Sequence, residues 1–256
     1  MLSTRVIPCL LYNDGSLIKT VKFRDPSYVG DAVNALKIYN DKEVDEVIFL
    51  DVTASVEGRR PDLELISEIA SECFMPLAYG GGIRTVDEVR EILRLGVEKV
   101  SFNTAAIRTP EVLAATAKEF GTQCVVASID VRRGRLGKWE VYGSRGSKRT
   151  HLEPVEFARR MEDIGAGEIL LTAIDREGTW QGFDLELISR ITDAVSIPVI
   201  AHGGCGKLGD IQDAVRIGHA SAVALGSLVV YQKKGMGVLI NFPKRRALVD
   251  LLPSGL

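Results

Sequence analysis

Cysteine is scarce in this 256-residue chain, and the four present, at 9, 73, 124 and 205, form no CxxC pair and have no histidine at ligand spacing. That excludes a zinc ribbon and a thioredoxin-like redox motif, and it reads as reduced thiols packed in a core. No metal and no cofactor are expected. Long apolar runs are also missing: none reaches the ~18 to 20 residues of a membrane span, and residues 1–5 lead into a strand-like segment without a signal-peptide core. The expectation is a cytoplasmic protein with no membrane contact. Charge of one sign is lacking too, since 32 basic and 34 acidic residues leave a net charge of −2. This gives no footprint for nucleic acid or anionic lipid and favours a small-molecule or protein partner. Low-complexity tracts and linkers are absent, and 46% hydrophobic residues suffice for one core. One domain over 1–256 is expected.

What is present alternates. Short β-branched runs at 6–10, 47–50, 77–78, 100–102, 125–129, 169–171, 198–201 and 222–225 have the character of buried parallel strands. Between them lie helical patterns at 31–40, 61–73, 85–95, 110–120, 153–164, 184–194 and 208–217, several opened by Asp, Thr or Pro. Eight strand–helix units in about 250 residues are the arithmetic of an α/β (β/α)8 TIM barrel. A doubly wound open sheet competes with it, but an internal repeat argues for the barrel. Glu46-Val47-Ile48-Phe49-Leu50 recurs as Glu168-Ile169-Leu170-Leu171-Thr172, and the glycines after Tyr79 recur after His202, both 122 residues on. Two half-barrels, about 1–120 and 121–256, follow. The longest irregular stretches, 12–30 and 132–150, come after strands one and five and are expected as loops on the face where such barrels place their chemistry.

The glycine elements carry the first functional signal. Gly81 and Gly82 follow strand three and Asn103-Thr104 follow strand four; Gly203 and Gly204 follow strand seven and Gly226-Ser227 follow strand eight. Backbone N–H groups without side chains can approach a phosphate, and an adjoining helix start adds positive potential. Two such cradles in equivalent halves would fit a ligand with a phosphate at each end; the alternative is that the glycines only turn the chain. Lys19 in the first long loop can neutralise a phosphate or simply be solvated. Asp51 and Asp175, after strands two and six, can hold ribose-type hydroxyls or cap a helix. Asp130, ending strand five, is the candidate general acid/base.

Together these segments, EVIFLDVTAS at 46–55, GGGI at 80–83, KVSFNTAA at 99–106, GAGEILLTAIDREGT at 165–179 and GGCGK at 203–207, resemble the cyclase subunit of imidazole glycerol phosphate synthase over residues from about 5 to 230. The resemblance implies a barrel that binds a ribulosyl bisphosphate between two phosphate sites, receives ammonia from a separate glutaminase subunit, and cleaves and cyclises its substrate in histidine biosynthesis. It implies that Asp130 is one of two catalytic aspartates, and that Lys19, Asp51, Asn103, Asp175, Gly203 and Gly204 stand at substrate positions. It further implies that Arg5, Glu46, Lys99 and Glu168 form the charged ring through which ammonia enters from a glutaminase docked on the barrel floor. Four charges at strand starts would be costly if buried unpaired, so a mutually paired ring of two positives and two negatives is physically sensible; ordinary surface charges are the alternative.

Departures from that family matter as much. Its second catalytic aspartate stands where this chain has Leu11, which cannot exchange a proton, and losing one of two acid/base groups costs on the order of 100- to 10,000-fold. Ala78 stands for a threonine, and His202 for a serine. His202 is read as a phosphate-side binding residue, with replacement of the lost acid/base the alternative. After strand eight, Gly235, Gly237 and Pro243 interrupt the regular final helix, leaving 244–252 as a short one. With the Phe74-Met75-Pro76 approach to strand three, these departures resemble a second-copy paralog that accompanies a glutaminase and an N-acetyl sugar amidotransferase in surface-polysaccharide synthesis. Two functions therefore stand: an ammonia conduit with little chemistry of its own, and a histidine-pathway cyclase with another group compensating for Leu11. A phosphosugar isomerase is a third and weaker reading, because it too would need paired acid/base groups on strands one and five.

Overall fold

A computed structural model describes residues 4–134 and 137–252. The leading residues Met1, Leu2 and Ser3, the pair Arg135 and Leu136 within the 132–150 stretch, and residues 253–256 lie outside the described residues. Among those described, eight parallel strands form the barrel wall: β1 (Arg5–Asn13), β2 (Val47–Asp51), β3 (Leu77–Gly80), β4 (Lys99–Phe102), β5 (Val125–Arg133), β6 (Glu168–Ala173), β7 (Val199–His202) and β8 (Ala222–Leu225). Each pairs with the next in chain order, β8 pairs with β1, and the sheet is closed with no free edge in the wall. The (β/α)8 barrel is thus established and the open sheet excluded.

Helices α1 (Ala32–Asp41), α2 (Leu63–Glu72), α3 (Val86–Arg94), α4 (Glu111–Phe120), α5 (Pro154–Asp163), α6 (Leu185–Thr192) and α7 (Leu208–Arg216) lie between the strands, and α8 (Arg245–Leu251) follows β8. Their starts are written locally. Asp31, Asp62, Glu153 and Asp184 each accept a first-turn backbone N–H, and Thr85 with Glu88 forms a reciprocal capping box on α3. Three helices of one turn, Ala54–Glu57, Thr104–Arg108 and Ser227–Val230, sit directly after β2, β4 and β8. The sequence reading missed them because four or five residues carry no measurable 3.6-residue period.

Strand alternation divides the core in two. Val6, Leu10, Ile169, Leu171, Val199 and Ala201 face the helices, while Ile7, Cys9, Leu11, Ile48, Ala78, Val126, Leu170, Ile200, Ala222 and Ala224 fill the barrel interior. Following the inward parity downward leads to Arg5, Glu46, Lys99 and Glu168 at the floor. Following it upward leads to Leu11, Leu50, Asp130, Thr172 and His202 at the mouth. Period-two geometry alone therefore links the two ends.

The stretches 12–30 and 132–150, expected as loops, are largely strand. Ser16–Val21 runs antiparallel to β1, with Leu11 opposite Ile18, and Arg24–Gly30 folds back onto it. Trp139–Gly143 runs antiparallel to β5, with Asp130 opposite Tyr142, followed by the short strand Lys148–Arg149. The reason is local: Asp14-Gly15 at φ 41° and 82° supplies a tight turn between two alternating runs, a hairpin signal that the polar composition of 12–30 masks. Of the four thiols, all free, Cys9, Cys124 and Cys205 are buried and Cys73 is only half-buried. Among the described residues no helix is long and apolar enough to cross a membrane.

Candidate functional site

The strands present their C-terminal ends to a mouth made of two compartments. The larger, about 870 Å³ and open to solvent, is lined by Leu11, Asp51, Gly81, Gly82, Asn103, Thr104, Asp130 and His202, with Phe23 and Arg145 contributed by the two hairpins. The smaller lies under Gly203, Gly204, Gly226 and Ser227 and is lined as well by Lys19, Glu177 and Trp180. His202 lines both. The glycines are required by backbone geometry. Gly81 has φ 128°, and a Cβ there would strike the carbonyl of Asp51, while Gly204 has φ 107° and would strike that of Gly182.

Asp130 is the most informative side chain. It is 8% exposed, accepts a hydrogen bond from Asn103 Nδ2 at 3.2 Å, and sits opposite Thr172 in the β5–β6 register. Burial pushes its carboxyl up to about 7, opposed by the Thr172 hydroxyl and reinforced by the negative charge of Glu177. A carboxyl with a pKa there can take and give protons near neutrality. Thr172 Oγ1 lies 3.2 Å from His202 Nδ1. Burial, helped by the nearby Lys19 cation, pulls the imidazole down to about 3. His202 is thus a neutral imidazole at pH 7, able to hydrogen-bond but poor at capturing a proton.

Leu11 stands at the corresponding place in the other half. It pairs with Leu50 and Leu50 with Gly80; Asp130 pairs with Thr172 and Thr172 with His202, with 122 residues separating both Leu50 from Thr172 and Gly80 from His202. Leu11 is buried and faces the large compartment, so an apolar side chain occupies the place across the mouth from the buried acid.

Asp51 is fully engaged with its own neighbours. Its Oδ1 accepts from Thr53 N, Thr53 Oγ1 and Ala54 N at 2.9 to 3.1 Å, and its Oδ2 pairs with Arg59 at 3.3 Å. It shapes the first cradle as a cap while lining it. Asp175 lies outside the lining of both compartments, where its Oδ2 accepts the Arg133 backbone N–H at 2.7 Å and ties the β5 hairpin to the loop after β6. Lys19, 3% exposed, points into the smaller compartment against Gly226, with its Nζ 3.6 Å from Glu177 Oε1.

Glu177 was missed at the sequence level. It is 1% exposed, its Oε2 accepts from Thr20 Oγ1 at 2.9 Å and Phe23 N at 3.2 Å, and its backbone carbonyl accepts from Lys22 N. In the segment Asp175-Arg176-Glu177 nothing in composition ranks one acid above the other; only the path of the hairpin over the mouth does.

At the opposite end, Arg5 bonds Glu46 at 2.5 Å and Glu168 at 2.7 Å, and Lys99 bonds Glu46 at 3.0 Å and Glu168 at 2.9 Å. The four close a ring in which every charge touches two of opposite sign. Among the described residues no group of three His, Cys, Asp or Glu side chains is arranged to hold a metal ion.

The histidine biosynthesis protein family model matches residues 5–235. A Pseudomonas aeruginosa protein, provisionally named imidazole glycerol phosphate synthase subunit hisF2, is 49% identical over 243 residues, or 95% of this chain and 97% of its own length. The imidazole glycerol phosphate synthase subunit HisF of Alkaliphilus metalliredigens is 46% identical over 233 residues, or 91% and 92% of the two chains.

Proposed function

The chain belongs to the HisF-like cyclase-subunit family of imidazole glycerol phosphate synthase, and from that membership we propose that it pairs with a glutaminase subunit at its floor and conducts ammonia through the barrel. The recipient is an N-acetyl sugar amidotransferase of surface-polysaccharide synthesis, and the work is done in the cytoplasm. The observation that carries this reading is Leu11. An acid poised near neutrality, Asp130, faces a leucine where the cyclase reaction calls for a second proton-transfer group.

Two features support the conduit. The ring of Arg5, Glu46, Lys99 and Glu168 stands at the floor on the inward parity, with every charge paired twice, and a docked partner that drew one of these charges away would open an entry there. Above it, Ile7, Cys9, Ile48, Ala78, Val126, Leu170, Ile200 and Ala222 make an apolar interior. An ammonium ion would lose its hydration there at a cost of several kcal/mol, and neutral ammonia at a much smaller one. A phosphorylated small molecule bound between the Gly81/Gly82 and Gly203/Gly204 cradles, with Asn103, Thr104, Gly226 and Ser227 at their rims, would signal that the mouth is loaded.

The second reading, a working histidine-pathway cyclase, is favoured by one observation: Asp130 retains the protonation range of a general acid/base. Single-turnover cyclase activity with saturating ammonium salt separates the two, because ammonium bypasses the glutaminase. The conduit reading expects an inactive protein and gained turnover in Leu11→Asp. Turnover of the unmodified protein at about 1 per second or faster would overturn it.

A further inference from the structure

The two glycine cradles differ in one respect that the repeat conceals. At the first, the nearby carboxylate of Asp51 has both oxygens engaged, and Gly82 N already donates to Ser55 Oγ at 3.2 Å. At the second, Glu177 forms part of the compartment wall with a carboxylate that is only half satisfied. Its Oε2 holds Thr20 and Phe23, but its Oε1 is buried and has no hydrogen-bond partner among the described residues. Lys19 Nζ, at 3.6 Å, is within ion-pair reach and beyond hydrogen-bond distance. A buried acceptor left open carries a penalty that a donor from a ligand removes.

The titratable groups that share the compartment wall with Glu177 are Lys19 from the hairpin, neutral His202 from β7 and the Cys205 thiol, while the Cys9 thiol on β1 and Asp130 on β5 lie outside the wall but close enough to feel its charge. One cation against one carboxylate leaves no surplus positive charge. A fully ionised anion entering here would meet the Glu177 oxygen as a bare repulsion. An anion that keeps a proton would instead donate it as a charge-assisted hydrogen bond.

We propose that this second compartment selects an anion bearing a proton: a phosphate group bound with one P–OH donating to Glu177 Oε1, to the exclusion of sulfate. The inference rests on the reading of Gly203, Gly204, Gly226 and Ser227 as a phosphate cradle. No proton changes owner in the complex. Glu177 acts as a specificity-determining acceptor, and the first cradle, without an open carboxylate oxygen, makes no such choice.

The test uses the full chain in a Trp139→Phe background, so that fluorescence reports on Trp180, which lines this compartment. Inorganic phosphate and sulfate are titrated at pH 6.5. Phosphate is expected to bind at least ~10-fold more tightly than sulfate, and Glu177→Gln, whose amide can donate to a fully ionised oxyanion, is expected to bring the two within about threefold. Independently of any change at Glu177, the 31P resonance of the methyl phosphate bound beside Trp180, assigned by its contact with the indole protons, should at pH 7 carry the shift of the monoanion, although the free ester is mostly dianion there, its second pKa being about 6. Sulfate binding as tightly as phosphate, discrimination unchanged in Glu177→Gln, or a dianion shift in the bound ester would each overturn the proposal alone. Failure of both anions to bind would overturn it together with the cradle reading.

Discussion

Asp130 and His202 titrate in opposite senses, and each leaves a signature on stability. The folded chain keeps a proton on Asp130 up to about pH 7, whereas the unfolded carboxyl releases it near 3.8. Between those values the folded state binds more protons, so the Asp130 contribution to stability falls as pH rises through the window and levels off above it. His202 stays neutral down to about pH 3, whereas unfolded histidine protonates below 6.5. Its contribution is complete above 6.5 and is lost as pH falls toward 3. Thermal unfolding between pH 4 and 8 should therefore show a flatter fall toward high pH in Asp130→Asn and a flatter fall toward low pH in His202→Gln. Profiles parallel to the parent would contradict burial as the cause. Gly81→Ala is a backbone test: at φ 128°, with the Asp51 carbonyl in the way, it should cost about 1 to 3 kcal/mol in denaturant unfolding. A neutral result would mean that the cradle can relax. Asp130 was legible as a site residue because it follows a β-branched run on the inward parity, although it does not end the strand as expected: β5 continues past it to Arg133. Glu177 was not, because an acid within a polar turn looks the same whether it is solvated or 1% exposed.

Among elements, the hairpin Ser16–Gly30 does the most to shape the mouth. It is pinned at one end by Glu177, through Thr20, Lys22 and Phe23, and along its outer strand by Ser27 Oγ to Tyr231 Oη at 2.7 Å. Tyr231→Phe removes the second tie only. Hydrogen exchange of the Arg24–Gly30 amides should speed up severalfold while the β1 amides are unchanged, and no change would place the anchor elsewhere. The floor ring draws one side chain from β1, β4 and β6 and one from the residue before β2. Because Glu46 and Glu168 share both cations, Lys99→Met leaves two largely buried carboxylates on Arg5 alone. That substitution is expected to cost about 3 kcal/mol, read as a lower urea midpoint with an unchanged slope. The ring residues were legible from their resemblance and their strand-start positions. So was their pairing as a ring of two positives and two negatives; the contacts themselves were not, because residues 163 apart in sequence, Arg5 and Glu168, meet only when the barrel closes.

For the whole molecule, the proposed function joins two ends that share no residue. If ammonia travels along the axis, charge reversal in Lys99→Glu should leave glutamine hydrolysis by the partner subunit running while ammonia reaching the mouth drops at least ~10-fold. Ammonium salt added from outside should restore delivery. Equal delivery by the variant and the parent would remove the gated-ring idea.

The sequence by itself determined the barrel, its helix starts and the place of Asp130, Leu11 and the glycines. Period-two and 3.6-residue patterns, capping residues and a 122-residue repeat are local or near-local signals, and a leucine on the inward parity is visible without coordinates. Only the tertiary structure decided that the two long loops are hairpins folded over the mouth, that Asp51 is spent on its own turn and Asp175 on Arg133, and that Glu177 lines the second compartment with one oxygen open. Those facts depend on which polar groups meet across the closed sheet. Burial and partnership of a side chain are properties of the space around it, and spacing along a chain does not encode them.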